Sequence, residues 1–386
     1  MRKKIWGILF AASLLCASDR TVTFEKIFGG DEDDIAYSVT ASNNGYIVAG
    51  KSKSFSDHRD FDAYVVGIDR SGTKLWSKIY GGEDDEVIND IIRYGRKYAF
   101  IGSTETFGNG RLSYYFGVID GEGNRDWVRV YYRDEDDEYY GNSIATNGKE
   151  LLVAGTERHL TFMSSKINPL IAKLDQDGMI EWRGYYGGKD EDYANKVIPV
   201  SDGWMIAGRT ETFGHGDFDM YLFKLDKNGK KSWYGAYGGK DDDTAHDLIK
   251  LKDGYLLVGT TDSFGLNRDD VFVVRTDKQG KVRWQRTYGG DRDDEGYAVA
   301  ESPDGGFVIV GRTESFRRHS GFDLYLFKID GRGEVKWERI YGGESDDAGR
   351  DIIATDGGYL IVGDKKTKIS RDSNLWILKV DQKGKL

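Results

Sequence analysis

Residues 76–86 read WSKIYGGEDDE: a tryptophan, a tyrosine four positions on, two glycines and a run of acids. Alone, the acids suggest a metal or ligand site, but the stretch recurs, and the recurrence decides the fold. The pattern D-x-x-G-x-x-x-W-x-x-x-Y returns at Trp76, Trp127, Trp182, Trp233, Trp284 and Trp337, with gaps of 51, 55, 51, 51 and 53 residues. Four residues after each stand Tyr80, Tyr131, Tyr186, Tyr237, Tyr288 and Tyr341.

The rest of the unit keeps the same beat. Two acids follow each tyrosine, then an apolar stretch such as VINDII or AHDLIK. A D-G or G-G turn leads into GYIVAG, GWMIAG or GYLLVG, then a T-E-T-F-G-like segment and a variable loop. A second apolar run, such as DAYVVGID or DMYLFKLD, returns to the D-x-x-G turn. Each unit thus offers four short β-rich runs separated by turn chemistry. The middle two are nearly continuous in apolar residues, as expected of strands covered on both faces. Four strands in about fifty residues, repeated, predict the blades of a β-propeller.

The chain ends set the blade number. The last unit stops at Leu386, two residues short of its expected tryptophan, while TVTFEKIFGG near the start places Phe24 and Phe28 at the Trp and Tyr positions. The expected fold is all-β: seven four-stranded antiparallel blades, with residues 22–28 supplying the outer strand of the last. Closing the ring removes the exposed sheet edges of an open array.

Composition agrees. The 386 residues include 24 Tyr and 51 Gly but only 3 Pro, so turns rely on glycine and aspartate. MRKK followed by IWGILFAASLL has the form of a signal peptide spanning residues 1–18, with CAS offering cleavage after Ser18. Residues 19–386 would then form one propeller domain. Lipidation of Cys16 is the alternative anchor, against which Leu15 stands where a lipobox wants a small residue. Cys16 is the sole cysteine, so a chain cleaved after Ser18 has no disulfide or cysteine-ligated metal. The formal charge of −10 argues against nucleic acid as a partner. No later stretch is apolar enough for a transmembrane helix, and a monomer is expected.

These repeats resemble a widespread group of exported bacterial and archaeal propeller proteins, with units of the form W-x-x-x-Y-G-G-x-x-x-D-x-A, D-G-G-Y-x-x-x-G-x-T-x-S-F-G and D-x-Y-L-x-K-x-D-x-x-G. The resemblance covers residues 22–386 and implies the fold. It implies little about activity, because most such proteins have none assigned. D-x-x-G-x-x-x-W also resembles the tryptophan motif of quinoprotein and outer-membrane-assembly propellers, where the indole packs between blades.

The candidate sites divide by what repeats and what varies. The acid pairs are Asp33/Asp34, Asp85/Glu86, Asp136/Asp137, Glu191/Asp192, Asp242/Asp243, Asp293/Asp294 and Asp346/Asp347. One Ca²⁺ per blade is one reading. A seven-fold feature is better explained as a turn device in which Asp caps backbone amides. The repeated Trp and Tyr are expected between blades, and the glycine pairs lack the Lys-Ser/Thr of a phosphate loop.

The loops between the second and third strands vary, and place Arg59, Arg111, His215, Arg268, Arg317, Arg318, His319 and Arg371 on the rim that carries the acids. They are read as surface ion pairs or as a polar recognition face. Blade three departs most, with YYRDEDDEYYGN replacing Y-G-G and TERHLTFMSSKINP adding His159, Phe162, Met163 and Lys166. A lengthened loop on a rigid scaffold is where binding is sought. No His-x-x-x-His, G-x-S-x-G or Ser/His/Asp order stands out. The function expected is an extracytoplasmic scaffold binding a protein or glycan at the envelope, without a required cofactor. The alternatives are a carbohydrate-active or quinone-dependent enzyme, or a Ca²⁺-stabilised surface protein.

Overall fold

The computed structural model describes residues 22–108, 110–134, 136–160, 165–265, 268–316, 321–366 and 372–386. The expected signal peptide, Cys16, Phe162, Met163, Arg317, Arg318, His319 and Arg371 lie outside the described residues.

Seven four-stranded antiparallel sheets follow one another. In blade one the strands run Asp34–Ala41, Gly45–Ser52, Asp62–Asp69 and Lys74–Tyr80. We label them a to d from the first. Blades two to six begin their a strands at Glu86, Glu138, Asp192, Asp243 and Asp294. Blade seven takes Asp347–Thr355, Gly358–Lys366 and Ser373–Asp381 from the end of the chain and Phe24–Phe28 from its start. Phe24 pairs with Lys379 and Phe28 with Leu375, so the N-terminal strand closes the ring as the sequence predicts. The b and c strands are buried on both faces, which explains their unbroken apolar runs.

The W-x-x-x-Y motif is a grip on the next blade. The glycine of each following D-x-x-G turn has φ near +80°, as at Gly123, Gly178, Gly229 and Gly280, the left-handed region that favours glycine. The tryptophan lies against that glycine, except at Gly333, where Arg286 and Tyr288 do instead: a β-carbon on Gly280 would come within 2.6 Å of the Trp233 ring. The tyrosine then donates its hydroxyl to the same residue's carbonyl, from Tyr186 to Gly229 and from Tyr237 to Gly280 at 2.6 Å, and from Tyr288 to Gly333 at 2.8 Å. Phe24 keeps the ring contact, on Gly72, where the motif has no tryptophan.

The acids are the second joint. The second acid of the pair is fully buried at the start of strand a, and its carboxylate folds back onto its own turn. Asp192 accepts the Gly188 amide at 2.7 Å and the hydroxyls of Thr212, at 2.8 Å, and Thr210. Asp34, Glu86, Asp243, Asp294 and Asp347 accept the equivalent amides of Gly30, Gly82, Gly239, Gly290 and Gly343. The first acid reaches the preceding blade: Asp85, Asp242 and Asp346 accept the amides of Phe61, Phe218 and Phe322 at the end of its b–c loop. The d–a turns and b–c loops are therefore laced together on one face, hereafter the loop face.

One pair needs correction. Strand register places Tyr139, not Asp137, opposite Glu157, where blade two sets Glu86 opposite Thr104. Blade three's d–a turn is two residues longer, so Asp136/Asp137 slide out of the joint. The Tyr139 hydroxyl takes over the turn, accepting the amides of Arg133 at 3.1 Å and Asp134 at 3.3 Å.

Candidate functional site

Blade three also extends beyond its fellows. Its b and c strands run Leu151–Leu160 and Ser165–Leu174, paired through His159 with Lys166 and Leu160 with Ser165. Among the described residues the other ladders end two or three pairs lower, as at Thr104 with Ser113 and, in blade seven, at Lys366 with Ser373. The described part of the insertion read from sequence as a long loop thus continues strands b and c as a paired hairpin at the loop face.

A cavity lies on each side of this hairpin. One, of about 420 Å³, is lined by Arg133, Asp137, Glu157, His159, Lys166 and Tyr185. Asp137, freed from the joint, lies 2.7 Å from His159 Nδ1, and the Tyr185 hydroxyl donates to Glu157 at 2.8 Å. Burial raises the Glu157 carboxyl above the usual carboxylate range, Tyr185 drawing it back. The other cavity, of about 470 Å³, opens toward the propeller axis between Tyr140, Asn142, Arg158, Ile167, Glu191 and Tyr193.

The rim residues expected from sequence divide accordingly. His159 and Lys166 face one another across the hairpin and line one cavity. Arg111 reaches across from blade two to Glu138 at 3.9 Å, which also holds Arg158 at 3.4 Å. Arg268 pairs with Asp293 at 3.6 Å on the next turn, the inter-loop ion pairing that is individually weak. His215 bonds Asp219 through its backbone amide, at 2.6 Å. Arg59, exposed and at φ 67°, sits in blade one's loop. These three do not join the blade-three cluster.

Three features escape a sequence reading centred on loops. The first is a belt of phenylalanines from the repeated T-x-T/S-F segment. Each packs on an aromatic of strand c, Phe55 on Tyr64 and Phe316 on Tyr325, while Phe55, Phe107 and Phe316 stay 42–46% exposed. The second lies at the axis. Every a strand carries a bulge, and the residue after it points inward: Ser38, Asp90, Ser143, Lys196, Asp247, Ala298 and Asp351.

These residues clasp neighbouring blades. Asp90, Asp247 and Asp351 accept the amides of Ile144, Val299 and Val39, and Ser38 and Ser143 those of Ile91 and Val197. Lys196 and Ala298 cannot accept. At those two joints Asp247 and Asp351 cap the next amide in their own strand, of Leu248 and Ile352, both at 2.8 Å. Lys196 Nζ lies 3.7 Å from Asp90 and 3.9 Å from Asp247. Burial disfavours its charge, but Asp90, Asp247 and Asp351 hold it above the ordinary lysine value. Burial pushes Asp351 up to about 6 even with Lys196 nearby.

The third is the bulge residue itself: Tyr37, Asn89, Asn142, Asn195, His246, Tyr297 and Arg350 around the ring. The three asparagines donate to carbonyls of the following blade, Gly141, Ala194 and Ala245, at 2.8–2.9 Å. Aligning the units at this position shows a polar pair in every strand a except blade six, where Ala298 follows Tyr297, a signal the sequence did contain. Among the described residues, no group of three or more His, Cys, Asp or Glu side chains is arranged to hold a metal ion. The joint carboxylates accept from amide and hydroxyl donors.

No family model matches the sequence, and no curated relative does. Solved structures are similar in fold. The WD40 β-propeller domain of Doa1 aligns over 95% of this chain and 97% of its own, with a TM-score of 0.56 at 13% identity. The Pan2 WD40 domain of Neurospora crassa aligns over 95% and 98%, at 0.54 and 12%. The propeller domain of the Trilobed protease from Pyrococcus furiosus aligns over 91% and 96%, at 0.51 and 11%. At such identities the likeness concerns architecture: the chain is a seven-bladed β-propeller.

Proposed function

We propose that this protein is an interaction scaffold acting outside the cytoplasm, and that it binds a protein partner through its loop face at blade three. The observation that carries this reading is the extended hairpin of blade three, which departs most from the repeat among the described residues and has polar-aromatic cavities on both its flanks. A rigid ring presenting one irregular element is how repeat scaffolds separate stability from recognition. The half-exposed phenylalanines extend the same face with the aromatic surface that dominates protein interfaces. WD40-like propellers of this architecture typically mediate protein interactions, which is consistent with that role. The basic n-region and apolar run of residues 1–18 support export; no helix among the described residues is long and apolar enough to cross a membrane.

The test combines proximity labelling in the native organism with the double variant Lys166→Glu/Tyr185→Ala. Partners enriched by the wild-type chain and lost in the variant, with an unchanged melting curve, support docking at the hairpin. An identical set of neighbours refutes it. A glycan array on the same pair addresses the glycan alternative. Mass spectrometry of the mature N-terminus settles export: a start at Asp19 supports cleavage, a lipidated Cys16 the anchored form, and an intact Met1 contradicts both.

A further inference from the structure

The bulge residues at the axis are of two kinds. In blades two, three and four they are asparagines, each used to hold the next blade. In blades five, six, seven and one they are His246, Tyr297, Arg350 and Tyr37, an unbroken arc facing the channel. Arg350 lies 5.3 Å from the Tyr297 ring centre and 5.9 Å from that of Tyr37, and the His246 ring meets Tyr297 edge-on at 5.5 Å. The ring nitrogens of His246 and the Tyr37 hydroxyl have no hydrogen-bond partner among the described residues. Where the other three blades place an amide, this arc places an imidazole and a phenol unbonded among the described residues, beside a second phenol that donates to Glu295 and a guanidinium paired with Asp364.

Toward the loop face the arc is crowned with cations. Arg312 pairs with Glu295 and stacks 3.9 Å from the Phe322 centre, and Arg350 pairs with Asp364 at 2.8 Å. Arg209 is sandwiched between Tyr193, at 4.1 Å, and Phe218, at 4.3 Å, and Lys51 sits 3.9 Å from the Phe61 centre. Neither has a carboxylate within ion-pair reach among the described residues. Arg312 and Arg350 are thus paired, while Asp85 and Asp33 act on Lys51 from beyond ion-pair distance and Asp269 acts on Arg312. One residue further along the strands, the Lys196 cluster with its three aspartates forms an acidic floor.

We propose that this arc is a binding site for a small molecule bearing an oxyanion, a carboxylate or a phosphate. Arg209, Lys51 and the outward edges of Arg312 and Arg350 receive the charge. His246 and Tyr37 supply hydrogen bonds, and the Tyr297, Phe218 and Phe322 rings flank the ligand's body. Guanidinium groups held flat by aromatic faces are set for bidentate contact with such an anion. The acidic floor stops an anion from passing deeper, so the ligand enters and leaves through the loop face. Empty, the site keeps its imidazole neutral: burial pushes His246 down to about 4, and Arg209, Arg312 and Arg350 add to this against Glu295. An anion beside it reverses that field. This site goes beyond the hairpin recognition above and does not depend on it.

The experiment titrates the mature protein with inorganic phosphate, glucuronate and, as the uncharged control, glucose. It uses calorimetry and histidine side-chain NMR, with the His246 signal identified by His246→Gln. Saturable binding of phosphate or glucuronate, an upward move of the His246 titration and no response to glucose support the site. Glucuronate alone identifies a carboxylate ligand, and both anions a general oxyanion site. Arg209→Gln, which leaves no ion-paired carboxylate behind among the described residues, should weaken binding about tenfold, the loss of one charge-assisted contact, with a cooperative melt retained. Arg350→Lys, which keeps the charge against Asp364, should weaken it likewise. Absence of saturable binding by either anion, or affinity unchanged in both variants, overturns the proposal.

Discussion

Replacing Asp192 by alanine tests whether the repeated acids are joints. The carboxylate accepts three bonds, from the Gly188 amide and the hydroxyls of Thr210 and Thr212, in a fully buried position. A hydrogen bond to a charged acceptor contributes about 1.5–3 kcal/mol, and an orphaned buried amide costs about 1–3 kcal/mol. The threonine hydroxyls can rotate to other acceptors, but the Gly188 amide cannot, so a total of about 3–5 kcal/mol is expected. At about 2.1 cal/mol/K per residue, unfolding this chain carries an entropy of about 0.8 kcal/mol/K. The melting midpoint should therefore fall by about 4–6 °C in differential scanning calorimetry. Asp84, exposed in the equivalent turn of blade two and bonded to Thr106 through its backbone, is the control: its alanine variant should shift stability by under about 0.5 kcal/mol. Equal, small shifts in both variants would refute the joint. So would a wild-type midpoint that drops by several degrees on adding a Ca²⁺ chelator, since the carboxylates would then be holding an ion.

Other expectations follow from the same geometry. Burial, with Asp294 and Asp269 nearby, pushes Asp270 up to about 7, and burial with Asp60 and Glu86 pushes Asp62 up to about 6. Folded carboxyls that hold protons more tightly than unfolded ones make stability fall as pH rises from about 4 to about 7. His246 works in the opposite sense over part of that range, so the comparison is between variants. Asp270→Asn should flatten the fall and melt higher than wild type at pH 8, because Asn168 and Asn374 already occupy the equivalent position in blades three and seven; an unchanged pH slope would contradict this. Lys196→Met should cost about 3–5 kcal/mol by leaving Asp90, Asp247 and Asp351 without a countercharge; chemical denaturation showing under 1 kcal/mol would mean the axis is hydrated enough to screen them. Tyr237→Phe should cost about 1 kcal/mol through the lost bond to Gly280, and a neutral result by the same assay would remove the tyrosine from the inter-blade grip.

Much of the ring was legible because its physics is local and repeated. W-x-x-x-Y spacing puts an indole and a phenol on one face of strand d, and D-x-x-G provides the positive-φ turn they grip. Phe24 and Phe28 revealed the closing strand for the same reason. Blade three was legible as an exception but not in its form. Whether YYRDEDDEYY shifts the register by two depends on Tyr139 and Glu157 exchanging the roles that acid and threonine hold elsewhere, and that exchange occurs between strands.

By itself the sequence determined the seven units and their strand order, since each follows from short-range patterns read seven times, and it placed the joint acids in every blade but the third. Only the tertiary structure decided what faces the axis. His246, Tyr297 and Arg350 lie some fifty residues apart, Tyr37 lies near the other end of the chain, and all four sit inside runs that read as apolar. A bulge in each inner strand turns them inward, and ring closure brings blade seven beside blade one. The chemistry of the channel therefore arises from convergence, which no single repeat contains.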